Sequence, residues 1–429
     1  MEHNEMNVFE DLESEVRSYC RAWPVVFDRA QGSWIYDEEG NAYLDFFAGA
    51  GALNYGHNHP ALKAALVGYL ERDGVSHTLD MFSVAKRDFL AGFQSTILKP
   101  RGLHYRVQFP GPAGANAVEA ALKLARKATG RENIVSFTNA FHGVTLGALA
   151  LAGNTGRRAS AGTVIGGQIV MPFDGYLGSD DAGLHWLEAT LAERGTGFTR
   201  PAAVIMETVQ ADGGVNVAGP EWLCSVSALC RAYDVLLIVD DIQVGCGRTG
   251  AFFSFEEAGI FPDIVTLSKS ISGYGLPLAL TLFSPELDVW SPGEHNGTFR
   301  GPNPAFVTAT AALELWADGT LAAETTARGR VVEDFLKELR TAVGSVTDCR
   351  GRGLIWGIEF AEPWMAAEVC ARAFTAGLLV ESVGPADEVV KLSPPLTISV
   401  AELKKGLGIL ADAIGTLPAA RAEKEGGVR

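Results

Sequence analysis

No apolar run in this chain of 429 residues approaches the ~18 needed to cross a bilayer. The longest, such as Val235 to Val239, have strand length, so a membrane-spanning role is excluded. The first residues, MEHNEMNVFEDLESE, lack the basic start and apolar core of a secretory signal, and a cytoplasmic protein is expected. Cysteine is sparse. Cys20, Cys224, Cys230, Cys246, Cys349 and Cys370 form no C-x-x-C pair and accompany no histidine cluster, which argues against zinc and leaves reduced thiols as the default. Basic residues are outnumbered, 35 against 51 acidic ones, and the net charge of −16 argues against nucleic acid as a partner. The chain shows no repeat and no long low-complexity linker, and its glycine-rich stretch at 111–116 is neither a Walker A loop nor a G-x-G-x-x-G turn. What remains is an ordinary soluble composition on a chain long enough for more than one lobe.

The order of elements is legible in the pattern. Trp34 to Phe47 reads as a hairpin, two apolar-aromatic runs flanking the turn-forming cluster Glu38-Glu39-Gly40-Asn41. Helical periodicity runs from Ala117 to Lys127, with Glu119 and Lys123 at i,i+4. Short apolar runs follow at Ile134–Phe137, Ala203–Met206, Val235–Val239 and Ile264–Leu267, separated by helical stretches or loops. Such alternation predicts an α/β fold with a largely parallel sheet covered on both faces. In the last third, Val332, Phe335, Leu336 and Leu339 share one helix face and Gly353 to Phe360 looks like a strand, which predicts a smaller α+β lobe. Residues from about 417 to 429 read as a frayed tail.

Three features carry chemistry. Asp240 directly follows a buried strand, where open parallel sheets bind ligands; a helix N-cap or loop carboxylate reads equally well. Lys269 also follows a strand, with Gly273 and Gly275 just after it to allow a tight turn. It is a candidate desolvated nucleophile or Schiff-base former, although taken alone it reads better as an exposed loop lysine. Gly111-Pro-Ala-Gly-Ala-Asn116 precedes the 117–127 helix and exposes unpaired backbone N–H groups suited to a phosphate. Together they meet the needs of pyridoxal phosphate: a phosphate cradle, an attaching lysine, and a carboxylate that keeps the pyridine nitrogen protonated so the ring accepts electrons.

On these residues the chain resembles the class III aminotransferases of fold type I, over essentially its whole length. Leu236 to Gly250 (LLIVDDIQVGCGRTG) is similar to that family's strand-plus-loop signature. The resemblance implies Asp240 as partner of the pyridine nitrogen, Ile242 on one ring face and Gln243 near the phenolic oxygen. It implies Lys269, in Thr266-Leu-Ser-Lys-Ser270, as the attaching lysine. Phe141, in Phe141-His142-Gly143, is implied to stack on the other ring face. Gly114 and Ala115 fall in the phosphate loop, Glu207 close to the ring, and Thr298, in Gly297-Thr-Phe-Arg-Gly301, at the phosphate of a neighbouring subunit. A homodimer with shared active sites follows from that last match. The expected division is 1–60 as the N-terminal part of a small domain, 61–305 as the large pyridoxal 5′-phosphate domain, 306–417 as the C-terminal small domain and 418–429 as a flexible tail.

Further segments, DLESEVRSYCRAWPVVFDRA, LDFFAGAGALNYGHNHP, ALTLFSPELDVWSPGEHNGTFRGPN and KLSPPLTIS, are similar to the ectoine-pathway diaminobutyrate–2-oxoglutarate aminotransferases. That group exchanges an amino group between glutamate and aspartate 4-semialdehyde, and the likeness raises potassium dependence without placing a site. Two departures stand near the expected site: Ala113-Gly-Ala-Asn116 lacks the usual hydroxyl, and Gln210-Ala-Asp-Gly-Gly214 replaces Q-G-E-G-G. They leave open a relative with another amino or aldehyde substrate. Both substrates carry carboxylates, so a cation should anchor them; Lys391 is the candidate, with Arg300, Arg350 and Arg352 competing and a solvated surface charge as the alternative for each. Asn54 and Tyr55 fall in a loop that faces the substrate in relatives, or are turn residues. His57 and His59 read as shaping a turn rather than as a metal pair. An aminomutase or epimerase on the same fold, or a cofactor-binding protein without turnover, are the competing readings.

Overall fold

The computed structural model describes residues 7–163, 165–178 and 180–417; the tail expected at 418–429 lies outside the described residues. At the centre is a seven-stranded sheet in the order Arg106–Gln108, Leu280–Phe283, Ile264–Leu267, Leu236–Asp240, Ala203–Met206, Ile134–Phe137, Gln168–Met171. All neighbours are parallel except Leu280–Phe283, which runs antiparallel to both strands beside it. Its strands Ile134–Phe137, Ala203–Met206 and Ile264–Leu267 are mostly apolar and buried throughout, as a sheet covered on both faces requires. Alternation along each strand splits the side chains between two cores. Val204, Met206, Leu237, Val239, Val265 and Leu267 pack on one face, and Ala203, Ile205, Ile238 and Ile264 on the other.

The helix Gly114–Thr129 closes over the second face. Its buried side is mostly alanine, with Val118, Leu122 and Leu124, and small side chains let it approach the sheet closely. Gly130, at φ 68°, ends it in the left-handed region that glycine adopts without strain.

Three smaller sheets flank this layer. The expected hairpin forms from Trp34–Asp37 and Ala42–Asp45, which pair antiparallel. Phe27–Gln31 joins one edge, and Leu378–Leu379 pairs parallel with Ala42–Asp45 at the other, so the two ends of the chain share a sheet. Val346–Arg352, Ile355–Phe360, Val389–Leu392 and Glu381–Val383 form a four-stranded antiparallel sheet. Val209–Gln210 and Asn216–Val217 make a short hairpin. The helix Thr320–Ala342 buries Val332, Leu336 and Leu339 on the face that the periodicity indicates. The helix Asn303–Glu314 runs through position 305, where the larger lobe was expected to end, and packs on helices Pro60–Glu71 and Val84–Gly92.

Register then places the chemistry. Met206 lies beside Val239, and Asp240 beside Thr266. Asp240, which ends its strand, and Glu207 and Lys269, which follow theirs, therefore emerge together at the carboxyl ends of the parallel strands.

Candidate active site

A cavity of about 160 Å³ opens at those strand ends. Its lining includes Gly114, Ala115, Phe141, His142, Glu207, Asp240, Ile242, Gln243 and Lys269. Residues that the sequence reading took from five separate stretches of chain are thus brought to one space.

Asp240 is 4 % exposed and held from three sides. His142 Nδ1 donates to Oδ2 at 2.7 Å, Thr266 Oγ1 to Oδ1 at 2.9 Å and the Ile242 N–H to Oδ1 at 3.2 Å. The carboxylate therefore has a set orientation, and His142 acts through Asp240. Lys269 takes φ 52°, a left-handed conformation that costs a non-glycine residue about 1–2 kcal/mol. The neighbouring Ser270 helps impose it, its hydroxyl donating to Gly51 O at 2.7 Å and accepting from the Asn54 N–H. Burial pushes the Lys269 ammonium below the ordinary lysine range, against the pull of Asp212. Burial and the nearby Asp240 hold the Glu207 carboxyl well above its ordinary range, while the Phe141 N–H donates to its Oε1 at 3.0 Å.

The start of the helix Gly114–Thr129 faces the same cavity. Ala113 has no side-chain acceptor to cap it; Asn116 Oδ1 instead accepts from the Ala113 N–H at 3.0 Å. A methyl group on Gly114 would meet Ile242 Cγ2 at 3.0 Å. A larger residue there would make the Ile242 side chain give by a few tenths of an ångström. Gln243 donates through Nε2 to Ala50 O at 3.1 Å.

Other expected residues lie elsewhere. Lys391 does not offer a free cation. Its Nζ donates to Asp212 Oδ1 at 2.9 Å and Gln243 Oε1 at 3.3 Å and sits 2.9 Å from Glu381 Oε1. Burial opposes its charge, yet Asp212 and Glu381 hold the ammonium above the ordinary range. To anchor a ligand it would have to give up a carboxylate. Asn54 is fully buried: Nδ2 donates to Cys246 O at 2.9 Å and Oδ1 accepts from Arg248 at 2.6 Å. Tyr55 is buried too, accepting from Trp316 Nε1. Neither lines the cavity, although Ala50 and Gly51 of the same loop lie against Gln243 and Lys269. Arg350 is committed to Gly214 O, Asp348 and Glu359, and Arg352 to Ser254 O and Glu257. Arg300 contacts Asn296 outside the cavity, and Thr298 is exposed with its carbonyl 2.8 Å from His77 Nε2. His57 pairs with Asp45 at 2.7 Å, and His59 precedes the helix that begins at Pro60.

Sequence reasoning missed Asp212 and Thr266 as members of the site. Asp212 was visible only as a departure in the Gln210–Gly214 stretch. Thr266 is identified by register, once Asp240 and Ile264–Leu267 are paired.

Comparison with known proteins follows the same line. A family model described as aminotransferase class-III matches residues 17–414. The diaminobutyrate–2-oxoglutarate transaminase of Streptomyces avermitilis is 62% identical over 413 residues, which cover 96% of this chain and 98% of that protein. The transaminase of the same name from Nocardia farcinica is 60% identical over 434 residues, covering 99% of each. Among solved structures, the ornithine aminotransferase of Toxoplasma gondii superposes with TM-score 0.83 at 27% identity, covering 96% of this chain and 94% of that one; pyridoxal phosphate partly occupies its active site. A Bacillus anthracis aminotransferase superposes with TM-score 0.87 at 25% identity, covering 96% and 98%.

Proposed function

The chain belongs to the class III aminotransferases, and from that premise we propose that it carries out an ω-transamination with pyridoxal 5′-phosphate. The reaction is L-2,4-diaminobutanoate + 2-oxoglutarate = L-aspartate 4-semialdehyde + L-glutamate, as in the ectoine group. The substrates follow from the named relatives at 60 and 62% identity over nearly the whole chain. The observation that carries the chemistry is the convergence of Lys269, Asp240 and the uncapped helix start at Gly114 on one cavity.

The cavity suits this cofactor. Gly114 and Ala115 would take the phosphate on backbone N–H groups at a helix N-terminus, and a methyl on Gly114 would press on Ile242 at 3.0 Å. Asp240 would face the pyridine nitrogen, Ile242 and Phe141 the two ring faces, and Gln243 the phenolic oxygen. Bound there, pyridoxal phosphate supplies a carbonyl carbon that amines attack and a protonated ring that accepts the electron pair left by a lost proton.

The chain's own residues do the rest. Burial favours the neutral amine at Lys269 Nζ, the form that attacks a carbonyl and accepts a proton. As a neutral amine, Nζ would be the group that takes the proton from the substrate carbon bearing the amino group and gives it back. Asp240, fixed by His142, Thr266 and the Ile242 N–H, would favour a protonated ring nitrogen. Glu207, its carboxyl raised by burial and by the nearby Asp240, accepts the Phe141 N–H and so holds that residue's backbone at the cavity wall. Apolar walls at Ile242, Val209 and Val244 limit water.

We further take the protein to act as a homodimer in the cytoplasm. Val75, Leu79, Met81, Phe82 and Val84, with Phe299 next to Thr298, are exposed apolar residues on segments linked by the His77–Thr298 contact, and they support a partner subunit on that side. No helix among the described residues is long and apolar enough to cross a membrane. The expected division at 60, 305 and 417 is retained as a proposal, supported by the sheet that joins Ala42–Asp45 to Leu378–Leu379. The test is an aldehyde panel with glutamate as donor. Aspartate 4-semialdehyde should give stoichiometric 2-oxoglutarate and 2,4-diaminobutanoate. Preference for another aldehyde moves the substrate; no 2-oxoglutarate with any aldehyde overturns the transaminase reading.

A further inference from the structure

The proposed reaction brings carboxylates to the cavity, one on 2,4-diaminobutanoate and two each on 2-oxoglutarate and glutamate. Beside the cavity sit Lys391, Asp212 and Glu381, one cation against two carboxylates. A substrate carboxylate entering there meets an excess of negative charge. The Lys391 side chain is 1% exposed, with all its donors engaged.

Arg157 differs. It lies on the short helix Thr155–Ala159, its side chain 46% exposed. The guanidinium carbon stands 4.5 Å from the centre of the Phe141 ring, a cation–π distance that holds the group in place. Nη1 is 4.0 Å from Asp212 Oδ2, too long for a hydrogen bond. Among the described residues no side-chain hydrogen bond of Arg157 is formed, so its fork of donors is open. A small recess lined by Arg157, Asn139 and Asn154 shares Phe141 and Asp212 with the main cavity. Counting Arg157, the cluster holds two cations and two carboxylates.

We propose that Arg157 binds the substrate carboxylate, as a bidentate partner stacked on Phe141. This rests on reading the cavity as a transaminase site. A planar guanidinium matches a carboxylate with two parallel hydrogen bonds, and its stacking fixes one component of the geometry before the substrate arrives. Arg350 and Arg352 have no such freedom, and Arg300 lies outside the cavity.

The test compares holoenzyme carrying Arg157→Gln or Arg157→Lys with wild type. Calorimetry with glutarate, an unreactive dicarboxylate, should show binding weakened roughly 10- to 100-fold in R157Q and partly restored in R157K, the range for a charge-assisted contact. The kcat/KM for 2,4-diaminobutanoate should fall in parallel. That for 1,3-diaminopropane, the same diamine without its carboxylate, should stay within roughly twofold. Unchanged glutarate affinity in R157Q overturns the assignment. So does equal loss with both diamines, or a wild-type enzyme that does not bind glutarate. If glutarate binding depends on Arg157 while 2,4-diaminobutanoate is not a substrate, the anchor stands and the substrate reading falls.

Discussion

Asp241, directly after Asp240, offers the sharpest test of the electrostatics under the site. It is 1% exposed; one carboxylate oxygen accepts from the Ser254 N–H at 3.1 Å and the other has no partner. Burial pushes its carboxyl up from 3.8 to about 7, with Ser254 and Arg352 opposing and Asp240 adding to the rise. A folded-state value above the unfolded one means that the folded protein binds the proton more tightly. Stability is then full below the unfolded value and falls as pH rises, the loss complete above about 7. The difference between about 7 and 3.8 corresponds to at most about 4 kcal/mol. Asp241→Asn removes the titration. Its amide N–H groups meet the unpartnered position at a cost of about 1–3 kcal/mol that does not depend on pH. The readout is therefore how the gap between variant and wild type changes with pH, not its sign at one pH. Urea unfolding of both proteins at pH 5 and pH 8 should show the variant gaining about 2–3 kcal/mol relative to wild type at the higher pH. Parallel pH profiles would refute the claim that Asp241 is a buried, destabilised carboxylate.

Asp240→Asn keeps the volume but removes the charge beside the expected ring nitrogen; steady-state assays should show kcat reduced roughly 100-fold or more with unfolding midpoints near wild type. Lys391→Met leaves Asp212 and Glu381 facing each other without their cation. Urea unfolding should show a loss of about 3–5 kcal/mol, partly recovered by adding Asp212→Asn. Lys269→Ala should lower turnover with glutamate at least roughly 1000-fold, while circular dichroism stays that of the wild type.

Much of this arrangement was legible in the sequence because local pattern reports burial. Ile134–Phe137, Ala203–Met206 and Ile264–Leu267 are strands at the residues read, and Val235–Val239 shifts by a single residue to Leu236–Asp240. The helix read at Ala117–Lys127 extends to Gly114–Thr129. Partners at long range were not legible. Lys391 reads as a substrate anchor or a solvated surface charge because nothing in its own stretch shows that Asp212, 179 residues away, takes its charge. Asn54 and Tyr55 looked like loop residues; the buried Arg248 and Trp316 that bind them lie far along the chain. The antiparallel strand Leu280–Phe283 and the pairing of Ala42–Asp45 with Leu378–Leu379 depend on tertiary register, which periodicity does not encode.

The central claim is that Lys269, and no other lysine, holds the cofactor. Borohydride reduction of the holoenzyme fixes the cofactor to whichever amine carries it, and peptide mass mapping locates the added mass. The account predicts the label on the peptide containing Lys269 and its absence elsewhere. Label on Lys391 or another lysine, or a holoenzyme that cannot be labelled at all, would contradict it.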